Sequence, residues 1–428
     1  MIALLKEGRK MYFRKLYFSL FLVLCPLPVW GQAESENIQE KIQAVLSPYS
    51  QDPPQVEGIT AGMKIDKTNV QIAAGVLPPE ILKLLMAGDF VITVQETTDM
   101  PLRQAYTEAT LQNYGKAAVA AEELQNYVAG LPFPLIDPQD PQAGLKVAWN
   151  YRYRDRGETT QYWPTNELRN SSGAVERAES FYIVFMYGAH RPDPAGNRPA
   201  WEKEGVLSKR YMRVLTPADA EGRQVLSLTY ENDTLTDDQW IYDPRTRRTR
   251  KVVYNPYEAP GNGELLAEDT SGFNGYIHSY EWRYLGEQVI LAPGPIRAAE
   301  PTLGGKGNWY PLDPWELRKV VVVEAIPKES HPIYSRRVLY LDLQTYVNLY
   351  TLANDREGNH KRTFFQVYFH PEFNPWGNEA WVPQLAAQLS IDHQRERASI
   401  FQTHKVVSNK PLNDSRWFSV MTLMLYGK

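Results

Sequence analysis

Two hydrophobic periodicities divide this chain. In the first third, apolar residues recur at helical spacing; after about residue 145 they fall at every second position or in short solid runs. "LPPEILKLLMAG" (77–88) sets Ile81, Leu82, Leu84 and Leu85 at helical spacing, with prolines at its start and Gly88 at its end. "YGKAAVAAEELQNYVAGLPFP" (114–134) reads as a second helix stopped by Gly130 and Pro132, and "DFVITVQET" between the two reads as a strand. Farther on, "SFYIVFMYG", "SKRYMRVLT" and "RQVLSLTYE" are strands, and "DDQWIYDPRTRRTRKVVY" is a hairpin turned at Asp243 and Pro244. "SYEWRYLGEQVILA" and "RKVVVVEAIP" follow. Residues 334–369 then make a three-strand antiparallel meander, with Asp342 and Gly358 suited to its two turns. Residues 295–315, rich in Gly and Pro, read as a long loop. The tail "WFSVMTLMLYGK" fits either a short amphipathic helix or a closing strand. No period of 20 to 50 residues is present, which argues against a propeller or solenoid.

The start of the chain changes the picture. Residues 1–15 carry Lys6, Arg9, Lys10, Arg14 and Lys15 against Glu7 alone, an apolar run follows from Leu16 to Val29, and Gly31 and Ala33 supply small residues. That is the pattern of a cleavable secretory signal peptide over residues 1–33, which implies export, with the periplasm the expected destination. The single cysteine, Cys25, lies within it; Leu24 precedes it where lipoprotein processing wants a small residue, so anchoring there is disfavoured. Cleavage removes five of 46 basic and one of 50 acidic residues, leaving 41 and 49, a charge of −8. An acidic exported chain is a poor partner for nucleic acid. With 43% apolar and 12% aromatic residues the composition is that of a folded, strand-rich protein.

Candidate chemistry is sparse. "GGKG" (304–307) lacks the spacing and the Ser/Thr of a phosphate loop, and no GxSxG nucleophile motif occurs. The seven histidines form no metal-ligand spacing; "DHQRE" (392–396) gathers Asp392, His393 and Glu396, which a polar surface segment explains equally well. No cofactor or metal is expected. The run Arg247, Arg248, Arg250 and Lys251 lies on a hairpin, where it shields a sheet edge or faces an anionic headgroup or acidic partner.

Four ordered blocks carry a resemblance. "QNYVAGLPFPLIDPQDPQAGLKVAWNYRYRDRG", "DQWIYDPRTRRTRKVVYNPYEAPG", "SGFNGYIHSYEWRYLGEQVILAP" and "RKVVVVEAIPKESHPIYSRRVLYLDLQTYVNLYTLANDREGN" resemble, in that order, segments of the DUF1329 family of exported bacterial proteins. The stretch "YNPYEAPGNG" departs by lacking that family's Asp. The second half is also similar to outer-membrane lipoprotein-sorting proteins of the LolA/LolB type. The resemblance implies an α+β, β-rich fold: a strongly curved antiparallel sheet, or half-barrel, over residues 145–428, with helices on its concave face and a helix-rich N-terminal region over 34–144. It implies a non-catalytic protein that binds and transfers a lipid, a lipoprotein acyl chain or another hydrophobic cargo. It further implies service to an RND-type exporter. Trp240, Tyr242, Tyr284, Val322, Tyr340 and Leu349, apolar positions on the hairpin and meander, are the candidate ligand-binding residues. Two alternatives stand: a scaffold subunit docking an exporter or outer-membrane protein through Arg247, Arg248, Arg250 and Lys251, with peripheral membrane contact, or a carbohydrate-active enzyme.

Overall fold

A computed structural model describes residues 30–50, 52–192, 201, 204–259, 264–373, 375–376, 382–412 and 414–425. The expected signal segment, Cys25 included, lies outside them up to residue 29. Residues Lys41–Lys428 form one compact unit. Among the described residues no helix is long and apolar enough to cross a membrane.

The alternating stretches form thirteen antiparallel strands of one curved, unclosed sheet. In chain order they are β1 (Thr159–Asn170), β2 (Val175–Tyr187), β3 (Val206–Thr216), β4 (Gln224–Tyr230), β5 (Asp238–Asp243) and β6 (Arg248–Val253). Then come β7 (Tyr280–Pro293), β8 (Trp315–Pro327), β9 (Tyr334–Asp342), β10 (Asn348–Asp355), β11 (His360–Phe369), β12 (Gln384–Asp392) and β13 (Arg397–Ser408). Their order across the sheet is β6-β5-β4-β3-β2-β1-β13-β12-β11-β10-β9-β8-β7. Two meanders, β1–β6 and β7–β13, are therefore joined where β13 pairs with β1. The expectation of a strongly curved antiparallel sheet is met.

Pleating gives each face its own filling. One row crosses six strands in register: Val322, Tyr340, Tyr350, Phe365, Leu389 and Ile400. It packs against Ile65, Ile81, Leu85, Phe90 and Ile92 of the N-terminal region. Four α-helices lie before the sheet: α1 (Trp30–Leu46), α2 (Pro79–Ala87), α3 (Gln104–Asn113) and α4 (Ala143–Arg152). As its sequence requires, α2 starts on proline and ends on Gly88 in the left-handed conformation. On the same face of the first meander, Val184, Met186, Tyr211, Leu226 and Tyr242 pack with Phe418 and Leu423 of the tail. That tail is helical, as α5 (Asp414–Trp417) and α6 (Val420–Leu425).

The opposite face of the second meander is covered by α4 and by the connection from β6 to β7, of which residues 254–259 and 264–279 are described. Here the covering is ionic. Arg337 of β9 pairs with Glu268 and, at 3.0 Å, with Asp269; Arg362 of β11 reaches Asp269, Glu264 and Asp392 at 3.2–3.3 Å. Tyr334 donates to Asp269 at 3.0 Å, and Tyr280 to Glu268 at 2.9 Å. Gly272 is forced by the close approach: a Cβ there would lie 2.2 Å from Asn348 Nδ2.

Two local expectations are corrected. Residues 114–134 are not a helix: α3 ends at Asn113, and Ala118–Ala120 pairs with Glu123–Gln125 as a small hairpin. Apolar residues there fit a helix by spacing, but most of the segment is exposed or half-buried, so packing does not select a helix. In "DFVITVQET" only Ile92–Thr93 is a strand, paired with Lys64–Ile65. The 295–315 loop holds its own small hairpin, Leu303–Gly304 with Tyr310–Pro311, and buries Trp309 and Tyr310.

Glu268 and His393 tie stability to pH in one direction and Asp269 in the other. Burial alone would raise the Glu268 carboxyl, but Arg337 and the bond from His331 outweigh it and hold it at about 2, below the ordinary 4.5. At Asp269 burial outweighs the same arginine and Arg362, and its carboxyl is raised. His393 is lowered from 6.5 to about 3 by burial and then by its neighbour His360. The unfolded chain takes up protons at Glu268 and His393 before the folded one does, so stability falls as pH drops from 6.5 toward 3 and further toward 2. Urea unfolding at pH 7, 4.5 and 3 is expected to show this loss, and Glu268→Gln to remove on the order of 3–5 kcal/mol at pH 7 while flattening the slope below pH 4.5. A slope unchanged by the substitution would contradict the network's role.

Candidate functional site

The connection and α4 leave part of the first meander uncovered. Between them and the strands lies a cavity of about 150 Å³. Its sheet wall comes from alternate residues on three strands: Phe185 and Tyr187 of β2, Ser208 and Arg210 of β3, Ser227 and Thr229 of β4. Its other wall is the end of α4 with residues 153–157 after it, plus Phe273, Tyr276 and Trp282.

Each wall is held in place. Gly144 lets α4 sit directly on β7, since a Cβ there would be 2.5 Å from the Trp282 carbonyl. Asn150 accepts from the Phe133 N–H at 2.9 Å and donates to the Phe133 carbonyl at 2.8 Å, fixing "GLPFP" on the helix. The Tyr151 hydroxyl lies 2.9 Å from the Ser271 carbonyl and 2.8 Å from that of Phe273, tying the connection to α4.

The lining is strongly basic. Six arginines (103, 152, 154, 156, 191 and 210) face two aspartates, Asp155 and Asp237. Arg103 is neutralised by bidentate bonds to Asp155 at 2.6 and 2.8 Å, and Arg152 by Asp233 at 2.5 Å. Arg154 stacks 4.1 Å over the Tyr151 ring and donates to that residue's carbonyl; burial, and then neighbouring Arg156, lowers its pKa. Burial raises the Asp237 carboxyl despite Arg152 and Arg210. Burial likewise pushes Tyr153 and Tyr254 up to about 12, so both remain neutral phenols near pH 7. Beside the cavity, on the same face of the sheet, Phe181, Ile183, Val214, Met212, Tyr162 and Phe401 form an apolar strip, to which Phe185 also belongs.

The residues singled out from sequence lie elsewhere. Val322, Tyr340 and Leu349 pack in the core beneath the N-terminal region; Trp240 and Tyr242 pack against the tail helices; Tyr284 is half-buried on edge strand β7. None of the six lines this cavity. Arg248, Arg250 and Lys251 are exposed on β6, the other edge strand, and Arg247 is exposed in the turn before it with φ +53°. Lys251 sits 5.2 Å over its cross-strand partner Trp240 and 2.7 Å from Asp238. Lys306 of "GGKG" pairs with Glu396, and Asp392 of "DHQRE" serves Arg362 and Lys361. Among the described residues no three His, Cys, Asp or Glu side chains are grouped as a metal site. The cavity's basic residues had a visible signal: "NYRYRDRG" places three arginines in five positions, beside two tyrosines, at a helix end.

The model of a family described as proteins of unknown function, DUF1329, matches residues 64–423. The chain belongs to that family. An uncharacterized protein of Pseudomonas aeruginosa is 25% identical over 347 residues, covering 75% of this chain and 71% of that protein. Among solved structures, a DUF1329 protein of Desulfovibrio piger aligns with 67% of this chain and 99% of its own, at 15% identity and a TM-score of 0.47. A domain of Vibrio parahaemolyticus, described as belonging to an outer membrane lipoprotein-sorting protein, covers 67% of this chain and 100% of its own (18% identity, TM-score 0.47). A LolA superfamily protein of Nitrosomonas europaea covers 63% and 94% (11% identity, TM-score 0.39).

In this DUF1329 chain, Tyr151→Phe removes the hydroxyl shared by two carbonyls of the connection. It is expected to cost about 1–2 kcal/mol of stability and to speed amide exchange over residues 271–277. Unchanged exchange there would show that Tyr151 does not secure that wall.

Proposed function

We propose that the protein is a non-catalytic periplasmic binding protein that carries a lipid or similar hydrophobic cargo. The observation that supports it best is the apolar strip of β1–β3 and β13 opening, through Phe185, onto the cavity under α4. An apolar strip beside a polar cavity suits a ligand whose body seeks burial and whose end needs hydrogen bonds. Transfer would need a membrane partner, an RND-type exporter or an outer-membrane protein, and the exposed basic edge Arg247, Arg248, Arg250 and Lys251 is the surface we assign to it.

Protein purified from a bacterial envelope without detergent is expected to release a stoichiometric apolar molecule on solvent extraction and to show its mass in native mass spectrometry. Ser208→Trp, which fills the cavity from the β3 wall, should lower its occupancy at least several-fold while the protein still melts cooperatively. Ligand-free wild-type protein, or equal occupancy in the filled variant, would remove the support for this reading.

A further inference from the structure

The carrier reading leaves the polarity of the cavity unexplained, because an acyl chain alone has no use for arginines. Three of them are uncompensated. Arg154, Arg156 and Arg210 have no carboxylate partner among the described residues: Arg154 donates to the Tyr151 carbonyl at 2.6 Å, Arg156 to the Tyr187 hydroxyl at 3.5 Å, and Arg210 to the Ser227 hydroxyl at 3.2 Å. The Nε groups of Arg156 and Arg210 are shielded from solvent and have no hydrogen-bond acceptor. Guanidinium groups gathered in a partly desolvated cavity repel one another, and leaving their donors unused adds a further penalty. Other buried arginines are matched by acids: in the same lining Arg103 by Asp155 and Arg152 by Asp233, and outside it Arg318 by Asp342 and Arg337 by Glu268. Asp237, the remaining acid of the lining, bonds Thr229 at 2.7 Å and does not reach Arg210 within ion-pair distance.

Aromatic rings orient two of these groups. Arg154 stacks on Tyr151 at 4.1 Å, and Arg156 lies 5.9 Å from the Tyr187 ring centre and 3.5 Å from its hydroxyl. Forks of this kind match the oxygens of a phosphoryl group bidentately, and several positive charges favour phosphate over a singly charged carboxylate. Tyr153 and Tyr254 remain neutral and available as donors. The apolar strip begins at Phe185, on the same strand as Tyr187.

We infer that the cavity of Arg154, Arg156 and Arg210 is a binding site for the phosphoryl group of an amphiphile whose apolar portion lies along Phe181, Ile183, Met212 and Phe401. This rests on the carrier reading for the tail and on the arginines alone for the head.

Titration calorimetry with three soluble probes separates the two: dihexanoyl phosphatidic acid, dihexanoylglycerol and inorganic phosphate. The phosphatidic acid is expected to bind at least about tenfold more tightly than the diacylglycerol. Arg154→Gln and Arg210→Gln should each collapse that ratio while leaving diacylglycerol affinity in place, which controls for misfolding within the same measurement. Inorganic phosphate binding alone, lost in Arg154→Gln, would support the site with a free phosphate as its ligand and would remove the carrier reading if neither lipid bound. Equal affinity for the two lipids, or a ratio that survives both substitutions, would overturn the phosphoryl site and leave the carrier reading standing. Binding of none of the three probes would overturn both.

Discussion

The buried charge cluster of Arg337 and Arg362 with Glu264, Glu268, Asp269 and Asp392 is the constraint on which this fold turns. The two edges of the sheet, β6 and β7, are consecutive in sequence, so the chain between them must pass from one end of the sheet to the other. A passage covered only by apolar contacts could slide along the strands. Directional bonds from two arginines, two tyrosines and a histidine permit one register. Buried ion pairs contribute little net stability against a hydrophobic alternative, and their use here fits a role in fixing position.

That position creates the cavity. With the connection anchored over β9–β12, Phe273 and Tyr276 come to rest opposite β2–β4, and α4 is tied to them through Tyr151. One meander is thereby filled on both faces; the other keeps a hollow. The two surfaces of the first meander are specialised accordingly. Val184, Met186 and Leu226 close onto the tail helices, while Phe185, Tyr187 and Arg210 face the hollow.

Much of this was legible in sequence. The strands from residue 180 to 369 are visible because alternation survives wherever one face meets water or differs in chemistry from the other, and the hairpin at Pro244 follows from its turn residues. The helix expected at 114–134 was misread because local spacing there is not backed by burial. The candidate ligand residues fared differently from the strands. Val322 and Tyr340 are apolar on a face that the N-terminal region covers, and sequence periodicity reports that a face is dry without saying what dries it. The basic cluster that attracted notice, Arg247 to Lys251, stands on an exposed edge. The basic cluster of the cavity, Arg152 to Arg156, is spaced at two-residue intervals from the last residue of a helix onward, and its enclosure depends on strands that arrive from elsewhere in the chain.

The seam between the meanders has a consequence for biosynthesis. Strand β1 finds one neighbour at once, in β2, but its other neighbour is β13, which places Phe401 beside Asn166. Until the last strand has been made, β1 presents an unpaired edge with its backbone donors and acceptors unmatched, and the longest-range strand pairing of the sheet is still outstanding. The sheet therefore cannot be completed progressively from the N-terminus. A ribosome-bound chain would hold an open β-edge for most of its synthesis, which makes delayed folding and a holding chaperone advantageous for this architecture.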